Sequence, residues 1–146
     1  MKYLESDYKP SRVTQTVLHD PENGAHGNCF SAVLSSLLNV PIENIPVFTD
    51  PITWMLDVNK WLRPYGLAYL RVQDFAMHAE DNGIIDCWHE LAGRTHRPGD
   101  VLHATVGRDG DMVYDPHPDN SGLKDREDSG IFIALHPWKV AQREAA

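Results

Sequence analysis

An α+β domain is the fold class this 146-residue sequence predicts, and three observations predict it. Apolar residues recur with a helical period through the first half. Short runs rich in β-branched and aromatic residues fill the second half, and turn residues separate those runs. Helices first and antiparallel strands afterwards place helices on one face of a sheet. The length fits a single domain, 1–146, large enough to bury roughly two-thirds of the surface its unfolded form exposes. No internal repeat, low-complexity segment or long linker divides it.

The first twenty-eight residues end in "DPENGAHGN", a density of turn formers that fits an irregular loop leading into a helix. In "CFSAVLSSLLN", Phe30, Val33, Leu34, Leu37 and Leu38 fall at i, i+3, i+4, i+7 and i+8, so all five share one face. Asn28 suits the N-cap, and Pro41 stops the helix shortly after Asn39. "PIENIPVFTDP" reads as a connector held by three prolines. A second helix is expected from about position 51 to 65, with Trp54, Val58, Trp61, Leu62 and Tyr65 on one face, Pro51 in the first turn and Gly66 at the end. Beyond it, "LAYLRVQ", "GIIDCWHEL", "DVLHATVGR", "DMVYD" and "GIFIALH" read as strands. "VLHATVGRDGDMVYDP" is the clearest hairpin, with an Asp-Gly turn in "RDGD". "LKDREDSG" is a charged surface loop and "KVAQREAA" a frayed helical end.

Composition narrows the function. With 42% hydrophobic and 23% charged residues the chain reads as a soluble globular protein. A formal charge of −8, with acidic and basic residues interspersed, argues against the basic stripe of a nucleic-acid binder and against an anionic membrane surface. No run of eighteen apolar residues is present and "MKYLESDYKPSR" lacks the apolar core of a signal peptide, so a cytoplasmic location is expected. Two cysteines, Cys29 and Cys87, are too few for a disulfide scaffold, which leaves chemistry or packing as their use.

The candidate chemistry starts at Cys29. A helix N-terminus directs free N–H groups and positive dipole at a thiol there, favouring the thiolate, and Gly27 permits a tight turn and close approach by a ligand. Buried cysteines are common, so a catalytic reading needs a histidine to carry the proton and a polar group to orient it. Among the eight histidines, His103 lies in the hairpin's first strand and Asp115 closes the second. With Asp109 and Gly110 at the turn, positions summing to about 219 face each other, which sets Asp115 within a residue of facing His103.

Other residues compete. Cys87, His89 and His96 in "CWHELAGRTH" are zinc-ligand types, but their spacing matches no closed structural site, and no metal or other cofactor is expected. His26 is an alternative base without an obvious carboxylate, while His19, His78, His117 and His136 read as loop or edge residues. Arg94 and Arg97 in "AGRTHRPGD" are placed either to line a cleft that meets a carboxylate-bearing substrate or to face solvent.

The order of cysteine at a helix start, histidine opening a hairpin and Asp-Pro at its end resembles papain-like cysteine peptidases, particularly the bacteriocin-leader-processing branch and small papain-like proteins of bacteriophages. The matching stretches are "GNCFSAVLSSLLN", "HATVGRDGDMVYDPHP" and Gln15 in "RVTQT", spanning about residues 12 to 135. The resemblance implies a papain-like fold, with Cys29 as nucleophile, His103 as base and acid, Asp115 holding the imidazole, and Gln15 supplying an oxyanion-hole N–H beside the Cys29 backbone. Gln15 departs from the pattern, since the glutamine usually lies closer to the cysteine. The implied activity is hydrolysis of an amide, peptide or isopeptide bond through an acyl-enzyme, in the cytoplasm of an infected bacterium. Acyl transfer to an amine, or a silent papain-like module that captures a host protein, are the alternatives. Partners would be a peptide, protein or small amide substrate, with specificity from "PVFTDPITW", "AGRTHRPGD" and "HPDNSGLKDRED"; the oligomeric state is open.

Overall fold

A computed structural model describes residues 9–142. Helices α1 (Cys29–Leu38) and α2 (Trp54–Leu62) precede β1 (Leu67–Gln73), α3 (Phe75–Asn82), β2 (Trp88–Arg94), β3 (Leu102–Arg108), β4 (Asp111–Tyr114) and β5 (Asp128–Ala134), and α4 (Pro137–Gln142) follows. The strands form one sheet in the order β1-β5-β2-β3-β4, every neighbouring pair antiparallel. The α+β expectation therefore stands. Four residues of the "KVAQREAA" end lie outside the described residues.

Helix α1 is buried on nearly every side rather than along one stripe. Val33 and Leu37 pack on Ala104 and Val106 of β3, as the periodicity required. Ser31, Ala32, Ser35 and Ser36 are buried as well, against chain the sequence pattern did not reveal. Ser31 Oγ donates to Pro46 O at 3.0 Å, and the small side chain of Ser36 lets an N-terminal arm approach closely. Ser11 N donates to Ser36 O at 3.2 Å and Val13 N to Ser36 Oγ at 3.1 Å, while that hydroxyl donates to Ala32 O at 2.8 Å. A larger side chain at position 36 would push the arm off the helix.

Helix α2 is shorter than expected. Asp50 Oδ1 accepts from Ile52 N and Thr53 N in the turn ahead of it. A 3-10 turn, Arg63–Tyr65, then carries the chain to Gly66, whose φ of 73° ends it in the left-handed region that glycine favours. Tyr65 is half exposed rather than on the buried face. Val58 and Leu62 pack on Tyr69 of β1, joined by Phe30 from α1.

Helix α3 was not foreseen, and it corrects two expectations. His78 belongs to this helix and not to a loop. The helix also lies on the opposite face of the sheet from α1. Phe75 meets the His89 ring edge-on at 5.0 Å, and His89 alternates with the α1-facing side of β2. The sheet is therefore covered on both faces near its centre.

Candidate active site

Cys29 opens α1, so its sulfur sits where the helix presents N–H groups that have no intrahelical partner. Asn28 does not cap them, contrary to expectation. Its buried side chain turns the other way: Oδ1 accepts from Thr16 N at 3.0 Å and Val17 N at 2.9 Å, and Nδ2 donates to Thr16 Oγ1 at 2.8 Å. Asn28 N also donates to Val17 O at 3.1 Å. Asn28 is thus a clamp that fixes the 15–17 segment beside the nucleophile position.

The hairpin supplies His103 and Asp115, and a bulge brings them together. Arg108 pairs with Asp111 and Gly107 with Met112, the register expected from the turn. Between Val106 and Gly107 the register shifts by one, so Val106 pairs with Tyr114. A one-residue slip moves a side chain to the other face of a strand. Extended to Asp115, the unshifted register would point it away from His103, whereas the shifted one puts both on the same face. His103 Nε2 donates to Asp115 Oδ1 at 2.6 Å, and both residues are buried.

Asp115 is itself immobilised. Its Oδ1 accepts from His117 N at 2.8 Å and its Oδ2 from Gly122 N at 2.9 Å. Burial works against the ionised carboxyl, but these donors outweigh it and hold the group below the usual carboxylate range. His103 shows the complementary shift. Burial opposes its charge, yet Asp115 and the Cys29 sulfur beside the ring together push its pKa up to about 9. With Nε2 committed to Asp115, Nδ1 is the ring nitrogen left for Cys29.

Gln15 lies fourteen positions before Cys29 but is buried in the same place. Its backbone N donates to Pro116 O at 2.9 Å, next to Asp115, and the clamp by Asn28 ties the following residues to the start of α1. The arm thus bridges the two halves of the site, compensating for the long intervening loop. Gln15 Nε2 donates one hydrogen to Val17 O at 2.9 Å, which leaves its second N–H; Oε1 is buried without a partner.

These residues border a cavity of about 510 Å³ lined by Gln15, Cys29 and His103 on the catalytic side and by His19, Arg97 and His117 around it. His117 and His19 are therefore cavity residues. The alternation of β4 carried two positions past Asp115 would have indicated His117, whose ring meets that of His103 edge-on at 6.1 Å. His26 also lines the cavity but is exposed, and its Nδ1 contacts Gly27 O at 3.1 Å. Of the segments expected to wall the cleft, "PVFTDPITW" contributes nothing, and "HPDNSGLKDRED" contributes His117. Arg94 points elsewhere, paired with Asp100 and Glu127. A larger recess of about 610 Å³, between the N-terminal arm and Trp88 and Tyr114, holds neither cysteine nor histidine.

His89 cannot serve as a zinc ligand as it stands. Its Nδ1 bonds Glu90 O at 2.9 Å and its Nε2 accepts from Gly110 N at 2.8 Å, so neither nitrogen has a lone pair to spare. Among the described residues no helix is long and apolar enough to cross a membrane. No protein-family model, curated protein or solved structure matches the chain.

Proposed function

We propose that the chain is a papain-like cysteine hydrolase, acting in the cytoplasm, that cleaves an amide, peptide or isopeptide bond through Cys29, His103 and Asp115. One observation carries the reading: a buried histidine lies between a fixed carboxylate and a cysteine at a helix N-terminus, beside a cavity. A histidine serving only as packing needs neither the carboxylate nor the cavity.

In this mechanism the resting proton resides on His103 and Cys29 is the thiolate. Sγ attacks the substrate carbonyl carbon, and the developing oxyanion takes the Cys29 backbone N–H and the second N–H of Gln15 Nε2. The C–N bond breaks as His103 gives its proton to the leaving nitrogen. Water then attacks the thioester, His103 accepts its proton, and the acid product leaves with Sγ again the leaving group. Asp115 stays ionised throughout and keeps the imidazole oriented.

The test is the pH dependence of Cys29 alkylation by iodoacetamide, read by mass spectrometry, in the parent and in His103→Ala, with Cys87 as internal control. Cys29 is expected to react faster than Cys87 at pH 6 and to lose that advantage in His103→Ala. Identical profiles in the two proteins would rule the ion pair out.

A further inference from the structure

The cavity beside Cys29 has an unusual lining for this protein. The whole chain carries −8, yet among the described residues no aspartate or glutamate lines this cavity. Its ionisable lining, apart from Cys29, is Arg97 and the imidazoles of His19, His26, His103 and His117. Leu18, Val101 and Leu102 supply an apolar wall. The volume of about 510 Å³ lies within the range of small-molecule and peptide sites.

Arg97 is held in a way that leaves half of it available. Its Nη1 alone contacts the loop, at 3.2 Å from both carboxylate oxygens of Asp119 and 3.2 Å from Ser121 Oγ. Nε and Nη2 take no protein partner among the described residues. Asp119 holds the guanidinium through Nη1 without lining the cavity, and the Nε–Nη2 edge has the two-pronged geometry that matches a carboxylate. The segment carrying Arg97 is closed by Thr95 N donating to Val101 O at 3.2 Å and runs directly into β3, which carries His103. The cation is therefore tied to the catalytic histidine's own strand.

We propose that the substrate carries a carboxylate close to its scissile carbonyl, received by the free edge of Arg97, with an apolar portion against Leu18, Val101 and Leu102. This specificity rests on the hydrolase reading, but its test does not depend on turnover. Iodoacetate and iodoacetamide differ by one carboxylate, and the ratio of their rates at a single cysteine cancels the thiolate fraction. The ratio at Cys29 is expected to exceed that of a free neutral thiol by about fivefold or more. Arg97→Gln should cut it at least threefold while the iodoacetamide rate stays within about twofold, and Arg97→Lys should keep an intermediate ratio, which separates charge from any disturbance of the loop. An unchanged ratio in Arg97→Gln overturns the proposal, as does failure of both reagents to reach Cys29. Loss of the His103 dependence with the Arg97 effect intact would instead count against the hydrolase alone.

Protection against iodoacetamide then identifies the source of the carboxylate. Slowing by acetyl-Gly-Glu-amide assigns a side-chain carboxylate, and slowing by acetyl-Gly-Gly assigns a chain terminus. Equal slowing by neutral acetyl-Gly-Gly-amide, or none by any of the three, overturns the proposal.

Discussion

His89 and His103 are buried on neighbouring strands, and each stands across the β2–β3 ladder from a glycine, Gly107 and Gly93. Their protonation differs in direction. His89 has a complete set of partners for a neutral ring, two backbone groups, and burial pushes its pKa down from the ordinary 6.5. His103 suffers the same desolvation, but Asp115 and Cys29 reverse the outcome and raise its pKa to about 9. Burial sets the penalty; a fixed anion decides which side wins. The first histidine is a structural bracket between β2 and the hairpin turn, and the second is a place to keep a proton.

The largest expected effect comes from removing the anion that distinguishes the two. Asp115→Asn removes the charge and one of the two oxygens that accept from His117 N and Gly122 N, so the His103 pKa should fall by about two units, a differential on the order of 3 kcal/mol. A proton-NMR titration of the ring measures it, and a His103 pKa still near 9 would remove Asp115 from the account. Cys29 alkylation at pH 6 should fall more than tenfold in the same variant.

The next test leaves His103 alone and disturbs His89. A Cβ at Gly107 would lie 2.6 Å from His89 Cε1, and that ring is fully buried with no room to retreat. Gly107→Ala should cost about 1–3 kcal/mol of stability in denaturant unfolding. The pH profile of Cys29 alkylation should keep its shape. A changed profile would mean that the two histidines are coupled through the sheet.

Stability against pH sharpens the contrast further. The raised pKa of His103 means its contribution is fully present below about 6.5, the unfolded value, and is lost as pH rises through about 9. The lowered pKa of His89 means its contribution is present above about 6.5 and fades as pH falls below that value. Glu90, fully buried and accepting from Tyr69 OH at 3.0 Å, has its pKa raised by burial to about 7, so its contribution is fully present below about 4.5 and is lost as pH rises through about 7. Stability should therefore decline as pH rises from about 7 to 9, through the His103 pKa. In Asp115→Asn the decline between pH 7 and 9 should become shallower by at most about 3 kcal/mol, because the His103 share disappears.

The smallest effect belongs to the clamp. Asn28→Ala removes three side-chain hydrogen bonds to the 16–17 segment, with an expected cost of about 1–3 kcal/mol in thermal unfolding. The His103 titration should be unchanged, since the hairpin does not depend on Asn28. If that titration moves, the arm supports the histidine as well as Gln15.

The elements carried by local pattern were legible in the sequence. α1 showed its apolar spacing, β1 coincided with "LAYLRVQ", and the Asp-Gly turn announced the hairpin. Cys29, His103 and Asp115 were readable as a set because their positions follow from a helix start and one hairpin. α3 was missed because "FAMHAEDN" has a weak apolar stripe and buries Phe75 and Ala79 alone. The burial of Gln15 was not legible in local pattern, because the bonds around it reach Pro116, a hundred residues on, and the segment clamped by Asn28.

By itself the sequence determined the α+β class, the helix that carries Cys29 and the hairpin that carries His103 and Asp115, since periodicity and turn chemistry act over a few residues. Only the tertiary structure decided that Asp115 shares a face with His103, that the N-terminal arm brings Gln15 to Cys29, and that Arg97 borders the same cavity. A one-residue bulge leaves no mark in an alternating pattern, and an arm that packs on serines leaves no apolar stripe. These features depend on contacts between segments distant in the chain, so they exist only once the sheet and α1 have met.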